Sequence, residues 1–413
     1  MNRLFHRAGS TPLLAGLPRE VAVLAAIAFC VALGFGIVAP VIPIYAESFG
    51  VTAFLASAVI SVFALMRFVS SPVAGRLVDR MGERRVLTTG LIIVAGSSVL
   101  AGLAQSYVQL IVLRGLGGVG SSMFTVSAMA LLLKVVRAEQ RGRAAGAFQA
   151  GFLLGGVAGP AVGGLVVAVS IRAPFFLYAV TLGAAALVSW RLLPAEPAGE
   201  PIPEQTQTQA PTDAAPPAPT LAEALRNRAY QAALAANLTN GFVTFGLRSS
   251  LVPLFVIEGL ESDATLSGIG FLVAAATQAV LLLPAGRVAD QRGRRPALIA
   301  GTTLTVVGMG ALALTAAPPL FLVAMAISGL AAAFMGSAPA AVAGDVVGPG
   351  GRGIVIAVFQ MVSDLGAILG PLIAGLLADS LGYGPAFEVG VAVALFALVM
   401  AALMPETLRR TAD

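Results

Sequence analysis

The run from Ala144 to Ile171 contains no charged residue. A helix needs about 20 apolar residues to cross a hydrocarbon core, so this stretch is long enough to span one with tilt. Comparable runs recur along the chain. The 413 residues are 58% hydrophobic and only 11% charged, with a mean hydropathy of +0.92. A soluble protein of this length carries far more charge on its surface. The solvent this composition fits is lipid.

Twelve spans can be read, at roughly 21–45, 53–75, 86–105, 108–134, 142–170, 173–193, 229–257, 264–286, 297–316, 319–343, 353–379 and 385–405. In a bilayer only helices and closed barrels satisfy every backbone group. These segments are too long and too uniformly apolar for barrel strands, so the expected class is an all-α integral membrane protein of twelve transmembrane helices. The lone cysteine, Cys30, excludes an intramolecular disulfide, and the lone histidine, His6, excludes a His-based metal cluster or catalytic triad. No enzyme activity, cofactor or metal is expected. The polar, basic start runs up to Arg19 and leads into a full-length span without a small-residue cleavage site. The first span is therefore expected to be retained.

Between spans six and seven, Pro194 to Thr220 is rich in Pro, Ala, Gln and Glu and nearly lacks large apolar side chains. Such a segment cannot bury enough surface to fold and reads as a linker. The expected organisation is a tail (1–20), a six-helix bundle (21–193), a linker (194–228), a second bundle (229–405) and a short tail (406–413). All but four of the 25 basic residues fall on one side of this topology. Positive charge stays cytoplasmic, which puts both termini and the linker there. The other four are Arg172, in a short outer loop, and Arg67, Arg114 and Arg248, inside spans.

The halves are repeats. Gly75, Arg76, Asp79, Gly82 and Arg84 return 211 residues later as Gly286, Arg287, Asp290, Gly293 and Arg295. The same offset carries Arg141-Gly142 to Arg352-Gly353, Phe148-Gln149 to Phe359-Gln360 and Gly159-Pro160 to Gly370-Pro371. One shared offset at four places argues for duplicated six-helix units with parallel topology, and a binding cleft between them near the bilayer midplane.

The loop Gly75 to Arg85, with its second copy at Gly286, resembles the signature loop of the major facilitator superfamily, and the resemblance covers essentially the whole chain. Gly82 permits a left-handed turn, and Arg76 and Arg80 suit the C-terminus of a helix. The resemblance implies that Asp79 docks near the start of span eleven, around Gly353, and latches the cytoplasmic side shut. The plainer reading is a solvated loop that only sets topology. In span five, Gly146, Gly155, Gly159-Pro160 and Gly163-Gly164 resemble the family's exporter motif; small residues four apart also let helices pack closely in lipid. Span one resembles a drug:proton antiporter motif in Leu33-Gly34 and Pro40-Val41-Ile42-Pro43. Span four resembles the family's Arg motif in Leu110, Arg114, Gly118 and Gly120, with Gly117 where a Gln is usual. Arg114 is thus a proton-relay candidate or a structural arginine.

An ionisable group inside a span is a functional candidate. Many drug antiporters of this family carry an acid in helix one, whereas Val21 to Tyr45 has none. Asp364 lies deep in span eleven, about 16 Å beyond Gly353, and Arg67 lies about 12 Å before Gly75 at 1.5 Å per residue. Since spans two and eleven pack together in the superfamily, the two are expected to form a buried pair that bridges the halves and couples proton binding to their motion. The alternative is that Asp364 faces a wet cavity and Arg67 snorkels or pairs elsewhere.

Asn237, Asn240, Thr244 and Arg248 are spaced to share one helical face. With Phe35, Met123, Phe124, Gln149, Phe152, Phe245, Phe359, Gln360 and Asp364 they form the expected substrate cleft. Such aromatics also serve as packing. A mostly apolar cleft with few polar groups suits amphiphilic molecules. The resemblance implies a monomeric secondary exporter in the plasma membrane, with an amphiphilic substrate, protons and lipid as partners and no nucleic acid. Rival readings are an exporter or facilitator of a specific sugar, metabolite or lipid, and a non-transporting receptor or scaffold.

Overall fold

The computed structural model describes residues 16–136, 140–167, 170–194, 220–347 and 353–408. Most of both tails, most of the 194–228 linker and the segment just before Gly353 lie outside them. Twelve long helices follow one another: α1 (Arg19–Glu47), α2 (Ala53–Met81), α3 (Glu83–Gly102), α4 (Tyr107–Val135), α5 (Arg141–Val167), α6 (Ala173–Leu192), α7 (Arg228–Gly259), α8 (Ala264–Gln291), α9 (Arg294–Ala313), α10 (Pro318–Val347), α11 (Gly353–Leu381) and α12 (Tyr383–Leu403). Among the described residues, eleven are long and apolar enough to cross a membrane, and α5 is a 27-residue helix.

Where the chain leaves lipid, short polar side chains close the helix ends. Ser106, Asn227 and Asp263 cap α4, α7 and α8 by accepting backbone amides. Gly82 and Gly293, one repeat apart, both take positive φ (82° and 130°) at the turns into α3 and α9, so the duplicated sequence makes a duplicated corner. We call the end of the molecule that carries these corners the basic end, and the end where α1 meets α2 and α7 meets α8 the far end.

Each half has its own core. One is built on residues such as Leu24, Ile27, Leu91, Phe124, Phe175 and Leu182; the other half divides between a cluster around Tyr230 and Phe359 and one around Leu251, Phe321 and Phe387. The pairings repeat. In the first half α1 lies along α5, α2 along α4, and α3 along α4 and α6; in the second α7 lies along α11, α8 along α10, and α9 along α10 and α12. Between halves, α2 packs on α11 and α5 on α8, which are equivalent contacts under the repeat.

The α1–α5 contact explains the glycines of span five. A Cβ on Gly151, Gly155, Gly159 or Gly163 would meet the carbonyl oxygen of Ala25, Phe29, Leu33 or Ile37 at 2.2, 2.3, 2.6 and 2.7 Å. Both series advance by four residues, so the backbones touch along a continuous glycine stripe. Gly146, at the start of the motif, faces open space.

Helix α7 is not regular. Asn240–Leu247 and Phe255–Gly259 are wound as wider π-helical turns. These break the 3.6-residue period on which a shared face of Asn237, Asn240, Thr244 and Arg248 depends. Asn237 is buried and donates to the Phe359 carbonyl of α11 at 2.6 Å, whereas Arg248 turns toward Phe271 of α8.

Candidate functional site

The seam between α2 and α11 is where the two halves are bonded most directly. Its register can be followed down the antiparallel pair. At the far end Asp379 accepts the amides of Ala53 and Phe54, both at 3.0 Å, closing the otherwise uncapped N-terminus of α2. One turn away, a Cβ on Gly375 would stand 2.7 Å from the Phe54 Cα. Further in, buried Ser61 donates to the Ile368 carbonyl at 2.8 Å. Ala64, Ala367 and Ile368 then form a small apolar plug with Phe68 and Leu372. At mid-depth Arg67 donates to Asp364 in an ion pair across the seam, with the side chains 32% and 27% exposed.

Toward the basic end from that pair, exposed side chains occur on both helices. Val73 and Ile356 are 53% and 52% exposed. Gln360 and Arg76 are exposed as well, and Gly75 has open space where a side chain would be. The described bonds across the seam thus run from the far end to the Arg67–Asp364 pair.

Of the arginines inside spans, only Arg67 has a carboxylate partner among the described residues. Arg114 is 2% exposed, with its guanidinium 4.5 Å over the Phe63 ring and Tyr178 close enough to feel its charge. Arg248 lies 5.9 Å over Phe271. The Nε of each is buried without a hydrogen-bond partner. Cation–π contact offsets part of the cost of burying such a charge.

The other cleft residues do not form one wall. Phe124 stacks with Phe148 and Phe152 at 6.5 and 6.0 Å and is 1% exposed; Met123 packs on Val86; Phe359 is buried beside Tyr230. These three serve here as core. Phe35 pairs with Phe63 at 6.0 Å. Gln149, Gln360 and Phe245 are exposed, and Asn240 and Thr244 half-buried.

The signature loops differ between halves. In the second copy Asp290 pairs with Arg294 at 2.5 Å, and Arg294 also reaches Asp345 at 3.1 Å. In the first, Arg84 donates to the Trp190 carbonyl at 2.7 Å and lies over its ring. Glu83 pairs with Lys134 at 3.0 Å. Arg76, Asp79, Arg80 and Arg287 are exposed. Asp79 makes no bond to another described residue, and the segment just before Gly353, where the latch is expected, lies outside the described residues. Gly142 and Gly164 lie in helices, but their surroundings are outside the description.

Sequence reasoning missed the far-end contacts. Asp379 could not be placed without the α2–α11 register. A signal did exist for two others: the 211-residue offset carries Glu47 to Glu258, and both stand at the far end.

The family model of the Major Facilitator Superfamily matches residues 24–276 and 233–412. Quinolone resistance protein NorA of Staphylococcus aureus (strain MRSA252) is 30% identical over 160 residues, 39% of this chain and 41% of that protein. Multidrug resistance protein 1 of Bacillus subtilis (strain 168) is 30% identical over 161 residues, again 39% and 41%. The chain thus spans about two-fifths of the length of these relatives. Among solved structures, a bacterial homolog of the human lysosomal transporter Spinster, inward-facing and unoccupied, superposes with a TM-score of 0.69 at 17% identity, covering 95% of this chain and 96% of that one.

Proposed function

The chain belongs to the Major Facilitator Superfamily, and on that premise we propose that it is a secondary active exporter of amphiphilic drugs or hydrophobic metabolites, exchanging them for protons by alternating access. The carrying observation is the α2–α11 seam, which bonds one half to the other from the far end down to the Arg67–Asp364 pair in the middle of both spans. Rocking the halves would open the far end and bring Asp79 toward the start of α11. Proton uptake by Asp364 would release Arg67 and loosen the contact at its midpoint. The similarity to NorA and Multidrug resistance protein 1 supports efflux of drug-like molecules, and the glycine stripe on α5 supports the exporter reading.

The chain is a multi-pass membrane protein. We place it in the plasma membrane with the basic end cytoplasmic, following the charge asymmetry of its loops. A single chain supplies both halves of the seam, so the working unit is a monomer.

The test is flux in reconstituted vesicles under an imposed pH gradient. Drug or dye movement that follows the gradient supports antiport. Movement indifferent to it favours a facilitator, and no movement across a broad panel of amphiphiles would overturn the drug-exporter reading.

A further inference from the structure

A second group of carboxyls sits at the far end, about 20 Å from Asp364 along α11 at 1.5 Å per residue. It is assembled from both halves. Glu47 ends α1 and is half-buried; Glu258, its repeat counterpart, lies near the end of α7; Asp379 lies near the end of α11. Glu47 is within electrostatic reach of both Glu258 and Asp379, and all three are within reach of the Tyr383 hydroxyl at the start of α12.

The partners of the three carboxyls differ. Asp379 is held by two amides of α2, and Glu258 accepts the Tyr383 hydroxyl at 2.5 Å. The Glu47 carboxyl receives no hydrogen bond from a described residue. No lysine or arginine forms an ion pair with any of them among the described residues. A cation at this end, Arg172, lies 5.9 Å over the Tyr45 ring. Arg67 and Arg248 are the charges next down α2 and α7, and Glu388 on α12 and the loop acids Glu261 and Asp263 add only negative charge.

We propose that Glu47, Glu258, Asp379 and Tyr383 form a proton-binding latch that closes the far end of the transporter. Glu47 belongs to one half and the other three groups to its partner half, so closure itself creates the cluster. Three ionised carboxyls would repel across a seam whose other contacts are attractive. One proton, taken from water on the far side onto the Glu47 carboxylate, removes that repulsion and leaves the Asp379 and Glu258 bonds intact. The closed state therefore binds one more proton than the open state, and closure is favoured as pH falls. The latch is separate from Asp364. It depends on the proposed rocking of the halves, but not on whether protons drive export.

The experiment uses the full chain in lipid nanodiscs with Cys30→Ser. Spin labels go on exposed far-end positions of opposite halves, Gln105→Cys and Ala316→Cys. Label separation is measured by pulsed dipolar spectroscopy between about pH 5 and 8, with and without Asp364→Asn to remove titration at mid-depth. The expected result is a short separation at low pH and a growing long population as pH rises, changing by up to tenfold per unit for one proton. Glu47→Gln should hold the short separation throughout, and Glu258→Gln should flatten the response. Gly375→Leu, which forces bulk against Phe54, should open the far end at any pH and shows that the labels report opening. If Gly375→Leu opens while the wild type ignores pH, or if Glu47→Gln and Glu258→Gln both keep the wild-type response, the latch is overturned and rocking stands. If nothing opens, the rocking reading falls and takes the latch with it.

Discussion

Ser61 of α2 donates its hydroxyl to the Ile368 carbonyl of α11 at 2.8 Å, at a point where the serine is 2% exposed. This single bond joins the two halves midway between the Asp379 cap and the Arg67–Asp364 pair. It exists only while the far end is closed. Ser61→Ala deletes it with almost no change in shape. A buried hydrogen bond of this kind contributes about 1 kcal/mol, so the substitution should move the closed-to-open ratio roughly fivefold toward open. The label pair at Gln105 and Ala316 would read that shift. An unchanged ratio would mean that Ser61 binds Ile368 equally in both states.

The glycine stripe of α5 yields a prediction in which neighbouring glycines behave oppositely. Gly155→Ala places a methyl 2.3 Å from the Phe29 carbonyl oxygen and 2.8 Å from the Leu33 amide nitrogen. Both are backbone atoms of α1, so the helices must separate. Overpacking of this type costs about 1–3 kcal/mol. Gly146 meets nothing within 4 Å, and alanine there should be neutral or stabilising by up to about 1 kcal/mol through helix propensity. Thermal unfolding of the two variants in detergent gives the comparison. Equal midpoints would refute the claim that the motif works by close packing against α1.

What could be read from the residues alone is uneven, for physical reasons. Spans and repeat followed from hydropathy and from one offset, because lipid leaves the backbone a single solution at each span. Arg67 and Asp364 could be matched in depth by counting from Gly75 and Gly353, because helical rise is constant. The face of α7 could not be read: the π-helical turns at Asn240–Leu247 change the period without a mark in the apolar pattern. Nor could the state of the seam, since Asp79 without a partner and Asp379 with two amides reflect the relative position of the halves. That position is set by contacts between the halves rather than by burial within either half.

At the basic end, Glu406 follows α12 and closes the start of α9. Its carboxylate accepts the amides of Arg294 and Arg295 at 2.8 and 3.2 Å, and those of Thr407 and Leu408 at 3.0 Å each. Partial burial pushes its pKa up, but the four amides outweigh that and hold it below the ordinary 4.5. The sign follows: the cap is fully present above about pH 4.5 and is lost as pH falls through the lowered value. Amide exchange at Arg294 and Arg295, corrected for intrinsic rate, should accelerate only in that acid range. Glu406→Gln should bring faster exchange at neutral pH and remove the acid step. A wild-type protein that keeps full protection at Arg294 well below pH 4 would contradict the capping role.

Arg67 and Asp364 face each other across the halves, each about a third exposed. Losing one partner of a fully buried pair costs about 3–5 kcal/mol, while exposed pairs contribute about 1 kcal/mol or less. Partial exposure places either single variant, Arg67→Ala or Asp364→Asn, at about 1–3 kcal/mol of destabilisation. Arg67→Ala combined with Asp364→Asn leaves no lone charge, so the double variant should be less damaged than the sum of the singles. Thermal unfolding tests that non-additivity, and strict additivity would mean the two groups act independently. Function separates the roles further. If Asp364 carries the exchanged proton, Asp364→Asn should bind substrate yet lose the dependence of flux on an imposed pH gradient. Arg67→Ala should keep that dependence, because the proton site is retained and only its counter-charge is gone. Gradient-driven export by Asp364→Asn at the wild-type rate would remove Asp364 from the coupling path.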